Sequence, residues 1–375
     1  MYVCLMPEEF NPFLLQGYAG ADTFCDREVE LATLKEAMAN QRNVTIISLR
    51  RLGKTALIRH FFASQRKFIP VFVDLYRTTD QEGMVLRIVQ ETMKQVGKPT
   101  SALLKEVAQA MRSLEFSLNF DPLTGLPELG VGARPGMKQA MALDELFGYL
   151  EGKRKPVVLA LDEFQQIVEY PERNTEALLR EQVQKLRNVQ FIFSGSDRRM
   201  MQAIFTNGKR PFFQATEPLH LGPIPDDAYA AFIQHHFKAA RKRIDAAVVR
   251  DGLAWCRSHT YYVQYLFNRL YAMGKRVEPA DLLHTQHSIL KERAPEYMTL
   301  KRLLSPNQAA LLEAIAREGL VETPTAMEFV IKHQLSALST VRQSLGMLLE
   351  NELVHQEQEG YRVTDVFFGH WLAGG

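Results

Sequence analysis

The chain has 375 residues, 46% of them hydrophobic, with 45 Lys and Arg against 43 Asp and Glu and three cysteines. It is too long for one ordinary domain, and its charge balance offers no bulk attraction for nucleic acid or a membrane surface, the densest basic run being KAARKR at 238–243. Cys4, Cys25 and Cys256 are too scattered for a disulfide framework or a zinc site and fit a reducing cytoplasm; no apolar stretch approaches the ~18 residues of a membrane helix, and no basic flank with a long apolar run opens the chain, so neither export nor membrane spanning is expected.

The first predicted element is a helix after Asp26, an acceptable N-cap, with Glu28 and Glu30 in its first turn and Leu31, Leu34 and Met38 facing inward. Next come NVTIIS (43–48), a β-branched apolar run, and SLRRLGKTAL (48–57), which leads into a helix with Leu57, Ile58, Phe61 and Phe62 on one face. Strand, loop and helix in that order are the setting of a phosphate-binding loop of pattern G-x-x-x-x-G-K-[ST], in which loop N–H groups and the helix N-terminus converge on phosphate oxygens. Backbone from Ser48 through Arg50, Arg51, Leu52, Gly53, Lys54 and Thr55 to Ala56 is therefore the candidate nucleotide cradle. In it Lys54 reaches the β- and γ-phosphates, the Thr55 hydroxyl ligates Mg2+, and Gly53 stays small. Ser48 stands where the pattern has glycine, a departure expected to be tolerated because that position touches phosphate less directly.

A second apolar strand is predicted at IPVFVDLY (69–76), and LEFSLNFDPLTGLPELGVGAR reads as a β-hairpin inserted at about 113–135 around DPLTG, without an assignable role. VVLAL (157–161) is an unbroken apolar strand of the buried parallel kind that ends in Asp162 and Glu163. Asp162 at such a strand end would hold magnesium through water, and Glu163 would orient and polarise an attacking water as general base, with Lys54 stabilising phosphate charge. The strand in QFIFSGSDRR (190–199) should lie between the loop strand and the Asp-Glu strand, so that Ser194 or Ser196 could sense the γ-phosphate, though SGSD reads equally well as a turn and helix cap. Arg198, Arg199 and Arg210 are arginine-finger candidates, each of which could equally be a surface cation.

With these motifs the chain resembles the additional-strand P-loop ATPases of AAA+ and STAND type, particularly the archaeal-ATPase-like group and its Bacteroidetes-type relatives. The resemblance runs through NPFLLQGYAGADTFCDREVEL, SLRRLGKTALI, ALDEFQQI, FSGSDRRMM, RPFFQAT and VTDVFFGHWL. It implies that an F-x-x-R-E-x-E segment, here Phe24, Arg27, Glu28 and Glu30, lies near the adenine, and it makes the Arg50-Arg51 pair familiar; members often keep glycine where Ser48 stands. A solvated helix position is the other reading of Arg27.

After LGPIP (221–225) amphipathic helices replace apolar strands, and the resemblance makes residues 226–300 a helical lid following a P-loop domain at 1–225. SHTYYVQYL (258–266) stands where relatives carry a nucleotide-sensing Gly-x-Pro that this chain lacks. Residues 301–375 open with a helix capped by Ser305 with Pro306 first, continue with a second helix at TAMEFVIKHQ and a third near Ser339 that turns Val341, Leu345, Leu348 and Leu349 inward, and close with LVHQEQEGYRVTDVFF as a hairpin, which makes a winged helix. Its six Lys or Arg against nine Asp or Glu leave a net charge of −3, the wrong sign for phosphate, so a protein-contact or autoinhibitory role is preferred to DNA reading. The expected fold is thus α/β, a P-loop NTPase with a parallel sheet of the additional-strand type, a lid and a C-terminal winged helix. The expected function is an ATP- and Mg2+-dependent, slowly hydrolysing switch ATPase that releases ADP and acts through a protein partner or self-association. A nucleotide-sensing, DNA-binding regulator is the alternative, and a GTPase is disfavoured by the lack of an N-K-x-D-like segment.

Overall fold

The computed structural model describes residues 10–96, 101–120, 127–134 and 136–374. Two compact units are formed, one from Gln16–Pro223 and the other from Ile224–Gly375 with the N-terminal segment that ends at Leu15.

In the first unit the strands are β1 (Val44–Ile47), β2 (Ile69–Asp74), the hairpin β3 (Leu114–Phe120) and β4 (Pro127–Ala133), β5 (Val157–Asp162), β6 (Val189–Ser194) and β7 (Glu217–His220). Five of them make one sheet in the order β2-β5-β6-β1-β7, with every pairing parallel. β6 therefore separates the phosphate-loop strand from the Asp-Glu strand, as expected. The helices are α1 (Glu28–Ala39), α2 (Lys54–Ser64), α3 (Gln81–Val96), α4 (Ser101–Ala110), α5 (Gln139–Glu151), α6 (Thr175–Lys185) and α7 (Arg198–Thr206).

The unbroken apolar strands have a simple cause, because alternate side chains enter different cores. Val157, Leu159 and Leu161 of β5, with Phe191 and Phe193 of β6, pack with Ile88 of α3, Leu146 and Phe147 of α5 and Leu179 of α6. Val158, Ala160 and Ile192 pack on the opposite face with Leu34 of α1 and Leu57, Ile58 and Phe61 of α2. Each such fully buried Leu, Ile or Phe contributes about 1.5–3 kcal/mol of transfer free energy, so the sheet that carries the site is held rigidly from both sides. The hairpin pairs antiparallel from Leu114↔Ala133 to Phe120↔Pro127, and the DPLTG turn expected at 121–125 lies outside the described residues.

One local expectation fails at the start of α1. Asp26 does not cap the helix: Asp26 and Arg27 both adopt positive φ, 54° and 71°, Arg27 is the N-cap residue, and no side-chain cap bond forms. The chain enters the helix through this left-handed pair, which denies Asp26 the extended backbone a capping carboxylate needs.

The second unit contains α8 (Asp226–Ala239), β8 (Arg243–Ile244), α9 (Ala246–Trp255), α10 (Thr260–Ala272), β9 (Arg276–Val277), α11 (Pro279–Arg302), α12 (Pro306–Glu318), α13 (Met327–Lys332), α14 (Leu338–Glu350), the wing β10 (Val354–Glu357) and β11 (Gly360–Val363), and α15 (Val366–Leu372). Ser305 accepts from the Gln308 N–H while the Gln308 side chain accepts from the Ser305 N–H, a complete capping box. The wing stops at Val363, and the VFF assigned to it from sequence turns instead into α15, because the Asp365 carboxylate caps that helix at the Phe368 N–H, 2.9 Å. Helical spacing then brings Phe367 to Trp255, centroids 4.8 Å apart, and Phe368 to Tyr297, 5.0 Å.

Residues 10–15, read from sequence as the start of the first domain, pack in this second unit. Phe13 is fully buried among Phe232, His236, Phe237, Phe267 and Tyr271. Asn11 Nδ2 donates to the Asn268 carbonyl and Asn268 Nδ2 to the Phe13 carbonyl, at 2.8 and 2.7 Å. Among the described residues no helix is long and apolar enough to cross a membrane.

Candidate nucleotide-binding site

The site is assembled at the C-terminal ends of β1, β5 and β6, where a parallel sheet opens toward its loops. From β1 the chain passes through Ser48 and a loop in which Arg51 and Gly53 take φ of 62° and 96° before α2 begins at Lys54. Left-handed backbone at Gly53 suits glycine, and the N-terminus of a helix that follows such a loop is a favourable place for an anion.

Lys54 lies inside this loop. Its side chain is only 7% exposed, and Nζ donates to the Ser48 hydroxyl at 3.1 Å and to the Leu49 carbonyl at 3.0 Å. The Ser48 hydroxyl in turn donates to that carbonyl at 2.9 Å, so the departure from glycine supplies a hydrogen-bonding group to the lysine. Both acceptors are neutral, and an anionic phosphate oxygen would be the stronger partner.

Beside it the Thr55 hydroxyl donates to Asp162 Oδ2 at 2.7 Å, and the Ser194 hydroxyl donates to Asp162 Oδ1 at 2.6 Å, joined there by the Glu163 N–H at 3.1 Å. Asp162 and Ser194 are buried. A hydroxyl and a carboxylate oxygen in contact are hard donors suited to Mg2+, which binds one or two protein oxygens and completes its shell with water and phosphate. Among the described residues no group of three or more His, Cys, Asp or Glu could hold a metal ion.

Glu163 follows in a left-handed conformation, φ 53°, as N-cap of the short 3-10 turn Phe164–Glu169. Its Oε2 accepts from Ser196 Oγ and Gln165 Nε2, both at 2.6 Å, and from the Ser196 N–H at 3.4 Å. The two serines flanking Gly195 thus address different carboxylates, Ser194 holding Asp162 and Ser196 holding Glu163. The cap expected within SGSD is present as well, because the Asp197 carboxylate accepts from the Met200 N–H at the start of α7.

The remaining sequence candidates are placed differently. Arg27 is buried, its guanidinium donating to Glu30 at 2.8 Å, to the Gly222 carbonyl at 2.7 Å and to the Leu52 carbonyl at 3.3 Å, so it braces the phosphate loop from behind rather than being solvated. Leu52 turns its side chain into the core beside α1 and α2, while Arg50 and Arg51 are exposed and Ala56 is half-buried. Phe24 stacks on His60 of α2 at 4.1 Å with ring planes 5° apart, and the Tyr18 hydroxyl meets His60 Nδ1 at 2.9 Å. Burial, followed by the charge of Lys35, holds His60 below the ordinary imidazole range. Of the finger candidates, Arg210 is engaged within the chain by Glu176, Arg198 is half-buried and Arg199 is exposed. Sequence reading missed Gln165, Gly195, the Tyr18–His60 pair and the brace role of Arg27. Only the S-G-S spacing opposite a D-E pair carried a signal, since two hydroxyls one residue apart can face two adjacent carboxylates.

Residues 24–209 match the family described as "ATPase domain predominantly from Archaea", and residues 295–374 match the family described as "Probable winged helix domain". Among solved structures the chain is similar to the Walker-type ATPase PABY2304 of Pyrococcus abyssi, with 18% identity, 96% of this chain and 99% of that chain covered, and a TM-score of 0.68. It is also similar to the ORC2 protein of Aeropyrum pernix, whose structure is of ADPNP–ADP complexes, with 12% identity, 97% and 98% covered, and a TM-score of 0.60. At such identities the likeness is one of fold. No curated protein matches the chain.

Proposed function

We propose, on the match of residues 24–209 to an ATPase domain of the archaeal type and of residues 295–374 to a winged helix, that the protein binds ATP with magnesium and hydrolyses it slowly as a molecular switch. The observation that carries the proposal is the contact of Thr55 with Asp162 beside Lys54, two motifs far apart in sequence meeting at one end of the sheet. Lys54 would exchange the neutral Ser48 and Leu49 oxygens for phosphate oxygens and hold the negative charge that grows during transfer. Thr55 and Asp162 would hold the Mg2+ ion, whose contribution when bound is to neutralise charge on the phosphates. Glu163 would hold the attacking water through the carboxylate oxygen that Ser196 and Gln165 do not bond. The oxygen of that water bonds to the γ-phosphorus as the bond to the bridging oxygen breaks, the electron pair leaves with ADP, and Glu163 accepts the proton.

The proposed output is mechanical: nucleotide state sets the arrangement of the lid and winged helix, which in turn governs contact with a protein partner or another copy of the chain. The net charge of −3 on residues 301–375 favours protein contact over DNA for the winged helix. Calorimetric titration with ATP, with and without magnesium, tests the first step. Saturable binding that strengthens with magnesium and is lost in Lys54→Ala is expected, and binding indifferent to Lys54 sinks the proposal. Salt-dependent binding of duplex DNA by the whole chain would turn the output toward the DNA-binding alternative.

A further inference from the structure

We infer that Gln165 is the positioning residue of this site, holding the Glu163 carboxylate in the orientation from which it orients water; the inference rests on the ATPase reading above. Gln165 lies two residues beyond Glu163 in the same 3-10 turn and directs Nε2 at Glu163 Oε2 over 2.6 Å, with a longer bond to Ser196 Oγ at 3.4 Å. The carboxylate only accepts, which requires the amide N–H side to face it. Gln165 Oε1 is thereby turned inward, where it is buried with no hydrogen-bond partner among the described residues. A buried carbonyl without a partner is costly, and an apolar side chain would avoid the cost, so the amide is kept for what its other end does.

Room for this arrangement comes from Gly195. A Cβ built on Gly195 would lie 2.1 Å from Gln165 Oε1 and 2.7 Å from Met201 Sδ. The glycine between the two serines is thus the site's provision for the glutamine.

Gln165 and Ser196 bond the same oxygen of Glu163, Oε2, and these bonds leave Oε1 to a water. Should the Ser196 hydroxyl turn toward a γ-phosphate, as its place at the end of β6 allows, the Gln165 N–H still restrains the carboxylate. Restraint of a base within hydrogen-bond reach of its water acts on the chemical step and not on nucleotide affinity.

The test is steady-state hydrolysis of Mg-ATP by the full chain together with direct ATP titration, in wild type, Gln165→Met, Gln165→Asn and Gln165→Lys. Methionine keeps the volume without a donor, asparagine draws the amide back by one methylene, and lysine restores a donor. Methionine and asparagine are expected to lower kcat about tenfold or more while KM and the ATP Kd stay within about twofold, and lysine is expected to recover most of the loss. Melting curves identify a variant that does not fold, and the asparagine protein carries the test if the methionine protein is lost. Unchanged kcat in a folded methionine or asparagine protein, a loss shared equally by Kd, or failure of lysine to recover activity overturns the inference alone. ATP binding by wild type with no turnover overturns the hydrolytic reading and this inference together.

Discussion

The two units differ in where some of their polar side chains are placed. In Gln16–Pro223 the buried Ser48, Lys54, Asp162 and Ser194 gather at the ends of three neighbouring strands and bond one another across long sequence gaps. In the unit of Ile224–Gly375 the half-buried Arg293 and His370 lie against rings. The Arg293 guanidinium lies over Tyr265 at 4.8 Å, and His370 stacks on Trp255 at 4.9 Å while its Nε2 meets the Trp255 carbonyl at 2.8 Å. Polar groups set against rings serve packing, whereas groups converging at strand ends can exchange one partner for a ligand. Chemistry is therefore expected to respond to substitutions in the first unit and stability to substitutions in the second.

The largest effect should come from the first unit. Glu163→Gln is expected to lower kcat by about 10²–10⁴-fold with ATP affinity retained, since an amide cannot take the proton of the water; single-turnover hydrolysis measured beside a binding titration checks it. The counterpart in the second unit is Phe13→Ala, which empties a fully buried ring site and should cost about 3–4 kcal/mol of stability in denaturant unfolding. An equal loss of ATP affinity in the folded Phe13 variant would erase the contrast between the units. Lys54→Ala should weaken ATP binding by about a hundredfold, roughly 2.7 kcal/mol. From sequence Lys54 is expected to be an exposed loop cation that contributes little to the core, but it is buried and bonded to Ser48 and Leu49, so a small drop in melting temperature should accompany the loss of affinity.

Ser48→Gly is a finer probe. It removes an acceptor of Lys54 and restores the common loop pattern, and a change in affinity of less than about tenfold, or 1.4 kcal/mol, is expected in a titration with a fluorescent ATP analogue. A large gain would mean that the serine holds the lysine away from phosphate. The smallest effect concerns pH and the second unit. Burial, partly offset by the bond to the Trp255 carbonyl, holds His370 below its ordinary value of 6.5. Its neutral form is therefore favoured by folding. The associated stability is fully present above about pH 6.5 and is lost as the pH falls from there through the folded value, because the unfolded chain takes up the proton first. Melting temperatures in His370→Gln should show a shallower decline over that acid range than in wild type.

What the amino-acid sequence determined by itself is what is local in the chain. Apolar runs of strand length, a glycine-lysine-threonine turn into a helix and an acidic pair closing an unbroken apolar strand point to a parallel sheet with Lys54, Thr55, Asp162 and Glu163 at its strand ends, because strand burial and the phosphate loop both depend on near neighbours; of the strand order only the place of the Ser194 strand beside the loop strand was expected. The Ser305 capping box was legible for the same reason. Only the tertiary structure decided which hydroxyl serves which carboxylate, since the Thr55–Asp162 bond spans 107 residues and the Ser194–Asp162 bond 32. It also decided that Arg27 braces Leu52 and Gly222, that residues 10–15 anchor beside Asn268, and that Gly195 makes room for Gln165. None of these leaves a periodic trace, because each is a single contact between residues whose spacing in the chain says nothing of their distance in space.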